Sequence, residues 1–344
     1  MDSVTQALLG ASIGGAVAGR TLGRAALIGG AALGTLPDMD VVLDYGSAIA
    51  NFTQHRGFSH SLFVLVPLGV VMALALHRWR PQLSRGRWLA FTLLILVTHP
   101  LLDCLTTYGT QLFWPIGPPL GSNSIFIIDP LYTLPLLLAV GYAAFRSPAP
   151  RALSGALAVS CGYLLWAVGA QALVDHRVET ELADRGLADA PRMVQPMPFT
   201  TLLWRVTVLA GDERLEMVTG PLEGDTPLTI ERFPRNPALL RQLAAYPEGQ
   251  RLLWFTDGFL AVQEQGDHLL ATDIRLGVPG AHPFTFVVAQ RDAGGQWQSV
   301  SSRQQPRPAM REEALQAFWS RLSGESEVLC LATFTALPAG EPCS

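Results

Sequence analysis

Four apolar runs dominate the first half of the chain: Ser61 to Leu76, Trp88 to Leu102, Leu131 to Phe145 and Ala152 to Val174. None shows the charged outer face of a soluble amphipathic helix, and a helix that is apolar all round belongs in lipid or in a protein interior. Crossing the hydrocarbon core takes about 20 residues, a length that the last run reaches alone; the first three are shorter and also fit the buried helices of a soluble bundle. Upstream, Val4 to Leu36 is rich in Gly and Ala and is interrupted by Arg20 and Arg24, which predicts a short helical hairpin packed closely on the other helices. Beyond Asp175 the texture changes. Thr201 to Leu209, Leu215 to Thr219, Leu252 to Thr256, Phe259 to Gln263, His268 to Arg275 and Phe284 to Gln290 read as strands, separated by turn signals such as Ala210-Gly211-Asp212 and Ala293-Gly294-Gly295. Pro237 to Tyr246 and Pro308 to Leu322 read as helices. The predicted fold is an α-helical multi-pass membrane domain over residues 1–175, followed by a soluble α+β, mainly antiparallel β, domain over residues 176–344.

Charge sharpens this division. Of 28 acidic residues only six precede Asp175, and all six are Asp. The 24 basic residues are all Arg, and a net charge of −4 leaves no basic footprint, so no nucleic-acid partner is expected. Arg20 and Arg24, Arg78 to Arg87, and Arg146 with Arg151 form groups that the positive-inside rule sets on the cytoplasmic side. The alternate connections then face the opposite side. They hold Asp2, Asp38, Asp40, Asp44, His55, His60 and Asp129, with His99 and Asp103 at the helix end nearest them; only Arg56 breaks the segregation. Met1-Asp2-Ser3 lacks the basic leader of a cleavable signal, so the first apolar segment is expected in the mature protein. Cys104 and Cys161 read as small hydrophobes, whereas Cys330 and Cys343 could pair if the C-terminal part lies outside the cytoplasm.

The candidate chemistry sits in three polar motifs set among the apolar runs: Pro37-Asp38-Met39-Asp40, His55-Arg56-Gly57-Phe58-Ser59-His60-Ser61 and His99-Pro100-Leu101-Leu102-Asp103. Ionisable groups near a bilayer are costly to keep, and Asp with His is a donor set for a divalent metal. His99 and Asp103 are four apart and share a helix face, although Pro100 disfavours helical geometry at His99. Arg56 offers a planar fork to a phosphate or carboxylate beside His55 and His60; the bland alternative makes it a headgroup anchor. Asp38 and Asp40 have no nearby cation to neutralise them, though a turn alone also favours Asp. Asp129 before Pro130 reads equally well as a helix N-cap, and Asp2, Thr5 and Gln6 as a helix start or an outer shell. Three His and three Asp can hold one or two metals with positions left open, and a bound metal lowers the pKa of water toward about 7. Such a site suits hydrolysis of a phosphoester or another polarised ester or amide, with Arg56 stabilising developing charge.

These motifs, with the opening Met1-Asp2-Ser3-Val4-Thr5-Gln6, Thr106-Thr107-Tyr108-Gly109-Thr110 and Ile127-Ile128-Asp129-Pro130-Leu131-Tyr132, resemble a family of bacterial inner-membrane proteins described as metal-dependent hydrolases. The likeness covers about the first 175 residues, and the family is distantly similar to zinc-dependent phospholipase C. The resemblance implies Asp38, His55, His60, His99 and Asp103 as metal ligands, and a divalent cofactor, zinc first, with manganese, iron or magnesium as alternatives. Many relatives carry His where this chain has Gln6. Asp40 and Arg56 are the expected catalytic residues, with Asp2, Gln6, Thr107, Tyr108 and Asp129 as outer-shell or substrate positions. The combined expectation is a multi-pass hydrolase of the inner membrane, in contact with lipids, acting on a phosphorylated or lipidic substrate from the extracytoplasmic face. An ion or solute transporter is the rival reading, although the polar groups collect at one membrane edge and not at midplane. A metal-stabilised scaffold for the C-terminal domain is the third.

Overall fold

The computed structural model describes residues 1–146, 148–224, 226–308, 312–326 and 328–334. The chain falls into two units, Met1–Leu43, Gln54–Gly169 and Pro198–Thr200 in the first, Asp44–Thr53, Ala170–Met197 and Thr201–Ser344 in the second.

The first unit is helical. Helix α1 (Ser3–Leu22) is capped by Asp2, whose carboxylate accepts from the Val4 and Thr5 N–H groups, and it turns at Gly23 (φ 58°) into α2 (Arg24–Thr35). The expected hairpin forms through glycine. Gly10 and Gly14 on α1 face Gly30 and Gly34 on α2 so closely that a Cβ at Gly10 would stand 2.2 Å from the Gly30 carbonyl oxygen, and one at Gly30 would stand 2.2 Å from that of Gly10. Small residues four apart on facing helices allow this backbone approach. A 3-10 turn (Pro37–Val42) follows, and α3 (Ala48–Gln54) lies mostly in the segment assigned to the second unit. The 3-10 turn Phe58–His60 leads into α4 (Leu62–Trp79), capped by Ser61, and α5 (Arg85–Asp103) and α6 (Pro130–Phe145) come next. Helix α5 continues through Pro100.

Helices α4 and α7 (Pro150–Asp184) are long and apolar enough to cross a membrane, by length and composition; α6 is apolar but shorter. Their exposed positions are apolar too: Val71 and Leu74 on α4, Leu137 and Leu138 on α6, Val159 and Leu165 on α7. Helix α7 runs ten residues beyond the expected end at Val174. It does so because Ala170, Val174, Val178 and Leu182, spaced by four, form one apolar stripe that packs on Val194, Trp204, Val206, Val208, Leu215 and Met217 of the second unit's own core.

The second unit holds two antiparallel four-stranded sheets, each a meander in chain order. The first comprises β1 (Arg192–Pro196), β2 (Trp204–Ala210), β3 (Glu213–Thr219) and β4 (Ile230–Pro234); the second comprises β5 (Leu260–Gln265), β6 (His268–Asp273), β7 (Thr285–Arg291) and β8 (Trp297–Gln304). Helices α8 (Pro237–Leu243) and α9 (Pro247–Thr256) lie between the sheets in sequence, and α10 (Glu312–Leu322) follows β8. Leu252 to Thr256, expected as a strand, is instead the end of α9. Pro247 at the first helical position starts the helix, and burial at Gly249, Leu252, Phe255 and Thr256 follows the helical period. Strands β1, β4 and β8 carry too little alternation to be read from sequence. The segment Asp44–Thr53 packs into this unit: Phe52 sits among Phe255, Phe284 and Phe286 with ring centroids 4.7–5.3 Å away, and the Ile49 N–H donates to Ser302 Oγ at 2.9 Å. Cys104 and Cys161 are free thiols, and Cys343, the expected partner of Cys330, lies outside the described residues.

A buried charge cluster crosses the first sheet. Glu216 takes a bidentate pair from Arg205 (2.6 and 2.9 Å) and lies 3.0 Å from Arg214 Nε. Nearby, His282 Nδ1 lies 2.8 Å from the Leu276 carbonyl oxygen, which can only accept, so the proton sits on Nδ1. Burial, then the Arg205 and Arg214 charges, push the His282 pKa well below its ordinary value of 6.5. The unfolded chain therefore takes up this proton first, so stability is fully present above about pH 6.5 and is lost as pH falls below it, at up to about 1.4 kcal/mol per pH unit. His282→Asn, which keeps the donor to Leu276, is expected to flatten the pH dependence of urea unfolding between pH ~7 and ~5 by one proton's slope. An unchanged slope would contradict this.

Candidate metal centre

Asp38, His60, His99 and Asp103 bring one ligand atom each to within 4.8 Å of one another. Asp38 comes from the 3-10 turn that ends the hairpin, His60 from the turn before α4, and His99 and Asp103 from the last turn of α5, one helical turn apart on one face. The two imidazole Nε2 atoms are 3.1 Å apart. His60 Nε2 lies 3.4 Å from Asp38 Oδ1 and 3.2 Å from Asp103 Oδ2; for His99 Nε2 the distances are 3.5 and 3.4 Å. Bonds of about 2.05 Å to a tetrahedral zinc imply ligand-to-ligand edges of about 3.3 Å; the five edges that involve an imidazole fall at 3.1–3.5 Å, within a set whose atoms all lie within 4.8 Å of one another.

Protonation follows from the outer contacts. His99 Nδ1 is 2.6 Å from the Gly34 carbonyl oxygen, which can only accept, so Nδ1 carries a proton and, in the neutral imidazole, Nε2 presents a lone pair. Ser59 Oγ donates to Asp40 Oδ2 at 2.6 Å, and its remaining acceptor role falls to His60 Nδ1 at 2.8 Å. In the neutral ring His60 Nε2 is thereby a lone pair too. Two neutral imidazoles facing each other through Nε2 at 3.1 Å repel unless a proton or a metal cation lies between them. Asp38 Oδ2 and Asp103 Oδ2 are likewise buried without a hydrogen-bond partner among the described residues. Orphaned carboxylate oxygens beside two inward-facing imidazole nitrogens form a donor set suited to a divalent cation, and each imidazole has its other nitrogen held in place.

The surrounding charge is arranged to match. Burial pushes the Asp38 carboxyl up, but hydrogen bonds from His60 and His99, given when their Nε2 atoms carry protons, outweigh burial and hold it below the ordinary carboxylate range. Asp40 is pushed up by burial and held down more strongly by His55 and Ser59, so it too is ionised. Arg56 is buried and left-handed (φ 61°), a conformation that costs an L-residue about 1–2 kcal/mol and that clusters at functional sites. Its guanidinium stands 3.4 Å from Asp103 Oδ1, donates to Thr106 Oγ1 at 3.3 Å and lies 5.1 Å over the Tyr108 ring; its Nε has no partner among the described residues. The Met1 amino group also lies against Asp103 Oδ1. The Cys104 thiol is pushed up to about 11 by burial and the Asp103 charge, which keeps it neutral.

The structure brings together four of the five expected ligands and sets His55 outside them. His55 Nδ1 is 2.8 Å from Asp40 Oδ1, and its ring stands 6.1 Å from that of His60 and 5.6 Å from that of Tyr108. Asp40 lies one layer further out, bridging His55, the Arg56 N–H and, through Ser59, His60. Gln6 donates from Nε2 to Asp103 Oδ1 and the His99 carbonyl oxygen, both at 3.2 Å, so the amide steadies a ligand. Asp2 caps α1, and Asp129 caps α6 while accepting from Tyr163 Oη at 2.8 Å; burial pushes its carboxyl up. Thr107 lies in the turn after α5. Sequence reasoning passed over Ser59, although a hydroxyl directly before a candidate ligand His is a usable signal, and the Gly34 carbonyl, which carries no signal at all.

A family model described as YdjM inner membrane protein matches residues 1–174. The chain is 30% identical over 124 residues to "Uncharacterized protein YfhP" of Bacillus subtilis, covering 34% of this chain and 38% of the relative. It is 34% identical over 113 residues to "Inner membrane protein YbcI" of Escherichia coli, covering 32% of this chain and 64% of the relative. The chain thus spans less than two thirds of the length of either relative. No solved structure matches it. The matched region is just over half of the 344 residues and contains all four clustered candidate ligands, and the chain belongs to the YdjM inner membrane protein family.

Proposed function

We propose that this inner-membrane protein is a multi-pass, metal-dependent hydrolase acting on a phosphoester or lipid-like substrate. The observation that carries the reading is the convergence of two imidazoles, each with its outer nitrogen fixed, and two ionised carboxylates on one point beside a buried arginine. Asp38, His60, His99 and Asp103 would hold the cation, zinc fitting this donor set. A bound divalent cation supplies a polarised phosphoryl oxygen and water of lowered pKa. Asp40 keeps His60 in the ligating tautomer through Ser59 and is a positioning residue in this scheme. Arg56 offers a planar donor fork for an anionic group near Asp103. Asp38 is the ligand with the most exposed side chain, 15% against 0–1% for the others, so substrate approaches past it. The ligand-bearing helix ends lie opposite the arginine-bearing ends, which supports an extracytoplasmic site.

The test uses detergent-purified full-length protein, wild type beside His60→Ala and Asp38→Ala. Metal content is measured first, then zinc-dependent hydrolysis of bis-p-nitrophenyl phosphate and of phosphatidylcholine vesicles. Turnover lost together with metal supports the enzyme. Metal bound without turnover on either substrate points to the scaffold, and metal-dependent ion flux into liposomes to a transporter.

A further inference from the structure

At the helix ends remote from the metal centre, a cavity of about 540 Å³ is lined by Arg20, Tyr142, Arg146, Pro150 and Arg151. Its three arginines come from three places in the chain, the last turn of α1, the C-cap of α6 and the first turn of α7. Among the described residues, none of these guanidinium groups has an ion pair or side-chain hydrogen bond, and no carboxylate lines the cavity. Nor can the first 174 residues supply one nearby: Asp2, Asp38, Asp40, Asp103 and Asp129 sit at the opposite helix ends or in the turns beside them, and Asp44 belongs to the second unit.

Placement separates Arg151 from an ordinary helix-end charge. Arg20 and Arg146 stand at helix C-termini, where a cation is favoured by the backbone dipole with no ligand needed. Arg151 stands at the positive end of a 35-residue helix, where its charge is disfavoured. All three arginines are exposed, and three like charges around one cavity, one of them against its own helix dipole, favour an anion shared among them. First-turn N–H groups and guanidinium forks both match phosphate oxygens. Tyr142, exposed at the cavity wall, is a side chain suited to the headgroup layer.

We propose that this cavity binds a phosphate group, carried by an anionic phospholipid headgroup or free in solution. Basic pockets between membrane helices take such headgroups, and the volume falls in the range of small-molecule sites, roughly 300–1,000 Å³. The proposal does not depend on the metal centre or on hydrolysis.

The full-length protein is placed in nanodiscs of dioleoylphosphatidylcholine, with or without dioleoylphosphatidylglycerol, and bound lipid is counted by native mass spectrometry. Wild type is compared with the triple variant Arg20→Gln/Arg146→Gln/Arg151→Gln, with Arg151→Gln alone, and with a control, Arg78→Gln/Arg85→Gln/Arg87→Gln, that removes equal charge outside the cavity. Wild type and control are expected to retain phosphatidylglycerol at least about tenfold better than the triple variant, with Arg151→Gln between them. If the triple variant does not enter nanodiscs, the comparison rests on Arg151→Gln against the control. A second arm adds inorganic phosphate in detergent and reads thermal stability: a rise in wild type, absent in the arginine variants, without lipid preference assigns the site to free phosphate. Equal retention by wild type and the cavity variants with no phosphate effect overturns the proposal, as does equal loss in variant and control, which would reduce it to general surface charge.

Discussion

Asp103→Asn is expected to abolish stoichiometric metal binding, with affinity down by more than about a hundredfold, because losing a residue that only hydrogen-bonds to a ligand already costs about 10–100-fold. Asp103 Oδ2 faces the His60 and His99 imidazoles, at 3.2 and 3.4 Å, while Oδ1 faces Arg56, Gln6 and the Met1 amino group. Asparagine keeps the shape and removes the charge, so one side of the residue loses a ligand and the other leaves a buried guanidinium without its counterion. Breaking a buried ion pair from one side costs about 3–5 kcal/mol, so the variant should also unfold at lower temperature. Ser59→Ala provides the graded comparison. It cuts the link from Asp40 to His60 and leaves all four ligands in place, and is expected to weaken metal binding by about 10–100-fold. Metal content by plasma mass spectrometry, with competition against a chelator for affinity, reads both variants. Asp103→Asn protein that retains one equivalent of metal at wild-type affinity would remove the residue from the set of ligands.

The second large effect comes from a residue with no chemistry of its own. Gly10→Val is expected to prevent assembly of the helical unit, a loss above about 4 kcal/mol, because the new Cβ would stand 2.2 Å from the Gly30 carbonyl oxygen and 3.0 Å from Gly34 Cα. Both obstacles are backbone, so no side chain can swing aside and the helices must separate. Separation also moves Gly34, whose carbonyl fixes the His99 tautomer, and Gln6, which holds Asp103. Metal binding should therefore fall with the fold although no ligand is altered. Gly19→Ala on the same helix meets nothing within 4 Å and should be neutral or stabilising by about 0.5–1 kcal/mol. A monodisperse peak of wild-type elution volume and unchanged melting temperature for Gly10→Val would show that the close approach of α1 and α2 is not required.

The helices and the motifs were legible for a common reason: each depends on residues near one another in sequence. Apolar runs bounded by Arg and Pro predict α4 to α7 within a few residues, apart from the C-terminal extension of α7, and His99 with Asp103 share a face because helical periodicity alone sets them there. The alternating strands β2, β3, β5, β6 and β7 were legible on the same ground, and Leu252 to Thr256 was not, since a five-residue apolar run satisfies either period until its start at Pro247 is weighed.

What the sequence determined by itself is the inventory: an apolar helical half, a half of antiparallel strands, and Asp and His residues gathered in three motifs at one set of helix ends. Only the tertiary structure decided which of them meet. His55 and His60 are chemically equivalent in sequence, as are Asp38 and Asp40; the left-handed turn at Arg56 and the 3-10 turn at Pro37 point one of each pair inward and leave the other two hydrogen-bonded to each other. The chain between them, Asp44–Thr53, departs to pack with the second unit, and the partners that orient His99 and Asp103 arrive from 65 and 97 residues away. Direction at a turn and contact across such separations are set by packing and hydrogen-bond closure among distant segments, which no local pattern of residues records.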